Sequence, residues 1–235
     1  MYKNLLIYLL RNYSRSYKFI PPLFTYIIFI GLFYTYRPNP VMGSFAVTAV
    51  LSFIVTAWIC YGFIQSESPI QEEITLLHLK SPAKYYIGLL SSILLMSLFL
   101  LIIAIAYPII RDMFDRPLGS EDIIVGLLSH LGLSFLGVAI AVFFNSKFVS
   151  RPSVAIGGIL FVIVLSFCQG SISSHLSPSM EWITWILPPA FHSMNLLMNY
   201  ETYSGGEIVW LLVVPFIYAI IVFTIFVQRM KRKLY

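Results

Sequence analysis

Glu72 and Glu73 stand side by side in the segment SPIQEEITLLHLKSPAKYY, residues 68–86. Adjacent carboxylates are where acid–base chemistry is sought first. A Glu-Glu-x-x-x-Arg helix carries such chemistry in intramembrane proteases, but position 77 here is Leu77, and the two acids fall between apolar runs rather than inside one. His78, His130, His175 and His192 lie in four different segments, and no His-Glu-x-x-His spacing places two of them on one helix face. Neither a G-x-S-x-G elbow nor a G-x-x-x-x-G-K-[ST] phosphate loop occurs. Cys60 and Cys168 sit inside apolar runs and read as buried packing residues, since they have neither metal-ligand spacing nor a disulfide framework. His130, in LLSHLGLS, is the one ionisable residue near the middle of an apolar run, and it reads as a donor to a neighbouring helix. The expectation is a chain that is no enzyme and itself binds no metal or cofactor.

The elements that carry these residues are apolar to a degree that soluble domains are not. Of 235 residues, 59% are hydrophobic and 11% charged, against about 25% charged in an ordinary soluble domain; the mean hydropathy is +0.86. Six runs approach the ~20 residues that cross a hydrocarbon core about 30 Å thick: Phe19–Tyr36, Ser44–Ile64, Tyr86–Ile110, Ile123–Phe144, Val154–Ile172 and Ile208–Val227. Lipid offers backbone groups no partners, and the runs do not alternate as barrel strands would, so each predicts a helix. The fold class is an all-α integral membrane bundle of six transmembrane helices, residues 19–235, preceded by an amphipathic segment, residues 1–18.

With six spans both termini share a side. Twelve of the fifteen basic residues fall there, including Lys80, Lys84, Lys147, Arg151 and Lys233, while Arg37, Arg111 and Arg116 fall on the other. The positive-inside rule then makes both termini cytoplasmic, and the net charge of +5 reflects topology and lipid contact rather than nucleic-acid binding. No Asp, Glu, Lys or Arg lies well inside a span. Proton- and ion-coupled carriers need such groups at depth, which disfavours self-powered transport.

At 100° per residue Tyr2, Leu5, Leu6, Leu9, Leu10, Tyr13 and Tyr17 form one arc, with Lys3, Asn4, Arg11, Ser14, Arg15 and Lys18 opposite. This predicts an amphipathic helix on the inner membrane surface, its cations near anionic headgroups. Ser120, followed by Glu121 and Asp122, can start the fourth span. Between spans five and six, MEWITWILPPAFHSMNLLMNY is apolar but broken by Pro188 and Pro189. It predicts two half-helices dipping into the outer leaflet, with Trp182 and Trp185 at the interface; a plain extracellular loop with an interfacial helix is the other reading.

The opening segment predicts a short helix. Ile70, Ile74 and Leu77 form one apolar stripe and Leu76 with Leu79 a second; Glu72 and Glu73 stand near its start and Lys80 at its end, as the helix dipole prefers, and Ser81-Pro82 stops it. Two stripes suggest two neighbours, the bundle above and a protein below, unless the helix simply rests on the bilayer.

In EEITLLHLKSPAKYYIGLLSS the chain resembles the permease subunits of type-2 ATP-binding cassette (ABC) exporters, on Glu72, Glu73, Thr75, Leu76, Leu77, Ser81, Pro82, Tyr85, Tyr86 and Gly88. Ile74 stands where a glycine often precedes the threonine. WILPPAFHSMNLLM fits the place of that family's re-entrant pair. The resemblance implies a cytoplasmic connecting helix (Arg11, Arg15, Lys18), a coupling helix at about 69–83 and a re-entrant segment (Trp182, Trp185, Pro188, Pro189). It implies a partner ABC ATPase that holds ATP and Mg²⁺ and contacts Glu72, Glu73 and Lys80, with Leu76, Leu77 and Leu79 as apolar anchor and motion passing through Pro82 and Tyr86. A second permease chain, identical or a sister, would complete the route. The cargo would be hydrophobic or amphipathic: a drug, a lipid-like molecule, or a peptide, small permeases of this kind being linked to antimicrobial-peptide export and immunity in Gram-positive bacteria. A sensor or scaffold that recruits a cytoplasmic partner without transport is the alternative.

Overall fold

The computed structural model describes residues 2–177 and 179–232; Lys233 lies outside them. Nine α-helices occur among these residues: α1 (Tyr2–Arg15), α2 (Ile20–Phe33), α3 (Val41–Ile64), α4 (Pro69–Leu79), α5 (Pro82–Ile110), α6 (Ser120–Ala141), α7 (Pro152–His175), α8 (Ala190–Met198) and α9 (Gly205–Arg232). Five of them, α3, α5, α6, α7 and α9, are long and apolar enough to cross a membrane, or six spans if the bent pair α1–α2 forms one. This all-helical architecture is consistent with a multi-pass membrane protein.

The long helices begin and end within a few residues of the expected spans. The first does not. The run Phe19–Tyr36 yields a helix of only 14 residues, about 21 Å at 1.5 Å per residue. Pro21 and Pro22 are tolerated only in a first turn, which fixes the start. Tyr17, at φ 56°, turns the chain just before it, and α1 and α2 meet at 80°.

The centre of the bundle is the pair α3–α6, whose most apolar stretches are 61% and 67% buried, against 28% and 22% for α7 and α9. Ser44, Thr48, Ser52 and Thr56 recur every four residues on α3; Ser52 and Thr56 each donate to the carbonyl one turn back, and the Thr48 hydroxyl lies 2.9 Å from both the Ser44 carbonyl and His130. Satisfied in this way, their small side chains let α6 approach closely. A Cβ on Gly137 would collide with the Phe53 carbonyl, and one on Gly126 would lie 2.8 Å from the Phe45 ring. His130 crosses the seam, though as an acceptor rather than the expected donor to the neighbouring helix: fully buried, its Nδ1–H donates to the Gly126 carbonyl of its own helix at 2.7 Å, and its Nε2 accepts from the Thr48 hydroxyl at 2.9 Å. Cys60 is buried in the same seam with Sγ 3.8 Å from the Val138 carbonyl, whereas Cys168 is exposed on α7, contrary to expectation. The sequence places Cys168 in an apolar run, but α7 turns most of its surface outward.

The amphipathic α1 is a helix as expected. Of its apolar arc, Leu5, Leu9 and Tyr13 are buried against the bundle, while Tyr2 and Tyr17 are exposed. Leu5 sits over Gly88 of α5, the Tyr13 ring lies 4.7 Å from that of Phe63, and Tyr2 bonds Ser91 at 2.9 Å. The missing side chain at Gly88 creates the seat.

The close α3–α6 approach gives a direct test. Gly137→Leu overpacks a backbone contact and costs about 1–3 kcal/mol or more, seen as a lowered apparent Tm of the detergent-solubilised chain. Gly157→Leu, where a Cβ meets nothing within 4 Å, leaves the Tm unchanged.

Candidate functional site

The densest polar chemistry lies at the end of the bundle formed by α1, α4, the start of α5, the α6–α7 connection and the last turns of α9. Each participant is set by local structure. Ser68 caps α4 by accepting from the Gln71 amide, while Gln71 returns a bond to the Ser68 amide, both at 3.3 Å, and Pro69 takes the first helical position. The helix ends at Lys80, which adopts the left-handed conformation (φ 50°) and bonds the Leu76 carbonyl. Ser81 then caps α5, with Pro82 at its first position. Pro82 therefore starts α5 as well as closing α4 off.

The two apolar stripes of α4 face opposite ways. Leu76 and Leu79 are buried against the bundle, while Ile70, Ile74 and Leu77 are 70%, 51% and 76% exposed. The expected trio Leu76, Leu77 and Leu79 is thus divided, with only Leu77 turned outward. Glu73 and Lys80 are exposed, but Glu72 is turned inward, where it accepts from the Lys147 ammonium at 2.7 Å and from the Tyr86 hydroxyl at 2.8 Å. An ammonium and a phenol hydroxyl on this side satisfy a carboxylate that stands next to an apolar bundle.

Glu67, which the sequence reading passes over, is the second centre. It accepts from the hydroxyls of Tyr8 (2.8 Å) and Tyr85, and lies 3.2 Å from the Thr75 hydroxyl, whose one proton it shares with the Gln71 carbonyl at 2.8 Å. Burial, and then the bond to Glu67, hold the Tyr8 phenol above the usual tyrosine range. No local pattern marks Glu67: it is a lone acid between two serines, and two of its partners are 18 and 59 residues away. The two carboxylates edge a cavity of about 730 Å³ floored by Leu89, Phe226 and Met230. On the outer side of α4, a groove of about 500 Å³ runs between α1 and α4, lined by Asn4, Tyr8, Gln71, Ile74 and His78.

Of the expected connecting-helix cations, Arg11 and Arg15 are exposed, and Lys18 donates to the Gln65 carbonyl at 2.6 Å, tying the α1–α2 corner to the end of α3. The segment with Trp182, Trp185, Pro188 and Pro189 lies apart from this end. Its first half is a 3-10 helix, Glu181–Ile186; the prolines interrupt it as expected, and α8 follows. Trp182 is exposed, Trp185 stacks on His192 at 4.8 Å, and Gln169 of α7 holds the segment by donating to the Thr184 carbonyl at 3.0 Å. The far end of the bundle is closed by Asp122, which bonds the Gly119 amide and pairs with Arg116 through both carboxylate oxygens; these bonds raise the Arg116 guanidinium.

Among the described residues no group of three His, Cys, Asp or Glu side chains is placed to hold a metal. The histidines lie in separate surroundings, with His130 bonded within the α3–α6 seam. No family model, curated protein or solved structure matches the chain.

The divided stripe is testable on stability alone. Leu76→Ala removes a buried side chain and costs about 2 kcal/mol or more, whereas Leu77→Ala stays within about 0.5 kcal/mol. Apparent Tm of the two purified variants against the parent checks the difference.

Proposed function

We propose that this chain is the permease subunit of an ATP-driven exporter of the ATP-binding cassette type, set in a cell membrane, in bacteria the plasma membrane, with both termini in the cytoplasm. The observation that carries the reading is α4: a short helix, capped at both ends, fastened to the bundle by one apolar stripe and offering Ile70, Ile74 and Leu77 outward beside α1. An exposed apolar row at the basic end of a membrane bundle fits a protein partner better than water.

The partner in this reading is a cytoplasmic ATPase, which binds ATP and Mg²⁺ and supplies the drive that the spans lack. It meets the outward stripe of α4, Glu73 and Lys80, and the exposed cations Arg11 and Arg15 of α1. A second permease chain, identical or a sister, completes the route, and the exposed apolar faces of α2, α7 and α9 are available to it and to lipid. The segment around Pro188–Pro189 and α8 is the re-entrant element. Cargo of amphipathic or hydrophobic character, such as a peptide, a drug or a lipid-like molecule, suits a route without fixed charge.

Ile74→Asp together with Leu77→Asp leaves the bundle folded and abolishes co-purification of the ATPase encoded with the chain, along with cargo-stimulated ATP hydrolysis in proteoliposomes. Capture of the ATPase undiminished by the double variant would remove α4 as the docking helix. Capture of a cytoplasmic protein without any nucleotide hydrolysis would instead favour a membrane scaffold.

A further inference from the structure

The link between α4 and α5 is only Lys80 and Ser81, one left-handed and one extended residue. Two residues of that kind let a helix swivel, and the burial of Leu76 and Leu79 is not directional. Something else has to fix the angle of α4, and the two inward carboxylates are placed to do so. Glu67 is bonded at once by α1 through Tyr8 and by α5 through Tyr85, and meets α4 at the Thr75 hydroxyl, which it shares with the Gln71 carbonyl. Glu72 joins α4 to α5 through Tyr86 and to the α6–α7 connection through Lys147, and the Lys147 ammonium also donates to the Tyr86 hydroxyl at 3.1 Å. The Tyr86 ring meets that of Phe226 at 5.8 Å, which extends the contact to α9. Hydrogen bonds to ionised groups are short, directional and stronger than neutral ones.

We propose that Glu67 and Glu72 are positioning residues that clamp α4 to α1, α5 and the α6–α7 connection, so that this end of the bundle turns as one block and a displacement of α4 reaches all three together. Without the clamp, a push on α4 would dissipate at Lys80–Ser81. With it, the push is delivered to α6, and so to the tightly packed α3–α6 seam, through Lys147. The clamp itself stands on the geometry of this chain; its service in transmitting force rests on the permease reading.

Hydrogen–deuterium exchange on the full-length chain alone, in nanodiscs, tests the clamp without any ATPase. Glu67→Gln speeds exchange in both 2–15 and 69–79 about tenfold, while α3 and α6 keep their protection. Tyr8→Phe, a milder change, speeds exchange in 2–15 and spares 69–79. Lys147→Glu speeds exchange in 69–79, and the double reversal Glu72→Lys with Lys147→Glu restores it. Exchange in 2–15 and 69–79 unchanged by Glu67→Gln, or a double reversal that restores nothing, would overturn the clamp. In the assembled complex, Lys147→Met keeps the ATPase bound and lowers cargo-stimulated hydrolysis about fivefold or more. Loss of the ATPase instead would make Lys147 a docking residue and overturn the transmission role, while the exchange result continues to stand or fall on its own.

Discussion

A polar group on an apolar helix has two places to bond: its own backbone one turn back, or a neighbour pressed against it. Almost every notable feature of this chain follows from that restriction. On α3 the hydroxyls of Ser52 and Thr56 take the first course, and Thr48 takes the second by donating to His130. Gly126 and Gly137 supply the matching depressions on α6. The seam is held by packing together with the hydrogen bonds of Thr48, Ser52, Thr56 and His130, since apolar surroundings give no hydrophobic push between apolar helices. The same restriction drives carboxylates to the ends of the bundle. There Asp122 is paired bidentately with Arg116, Glu67 accepts from two tyrosine hydroxyls, and Glu72 from Lys147 and Tyr86.

Tyrosine is well suited to that second arrangement. Its ring is apolar enough to lie within the bundle, and its hydroxyl reaches the boundary where a carboxylate is tolerated. Tyr85 and Tyr86 are adjacent on α5, with rings 5.0 Å apart at 84°, so consecutive residues point their hydroxyls at different acids. The pair KYY at the start of α5 thus serves two anchors from one turn of helix.

The elements were legible in the sequence wherever local chemistry sets them. Helix limits follow Pro, Ser and Gly at the ends of apolar runs, and α4 is announced by two stripes at helical spacing, acids near its start and the Ser81-Pro82 stop. Even the opposition of those stripes was readable. The direction of individual charged side chains was not. Glu72 looked like a surface acid because its partner, Lys147, is 75 residues away; Glu67 carried no periodicity or motif whatever. The burial of α1 depends on an absent side chain, that of Gly88, and a single glycine in an apolar run does not say what will sit on it. The short α2 was signalled by Pro21–Pro22, yet hydropathy alone extended the run past both of its true ends.

The geometry also separates two properties that a single stripe would have to combine. A docking helix must expose apolar surface, and a transmitting helix must be held firmly. If a single stripe did both, any partner would compete with the bundle for the same side chains. Here Ile70, Ile74 and Leu77 face out while Leu76, Leu79, Thr75 and Glu72 face in. Three and four residues separate members of a stripe, so eleven residues give room for both faces and their caps. Under the proposed permease reading, a partner on the outer face leaves the inner one intact, which is the condition for a push on α4 to be passed on rather than absorbed.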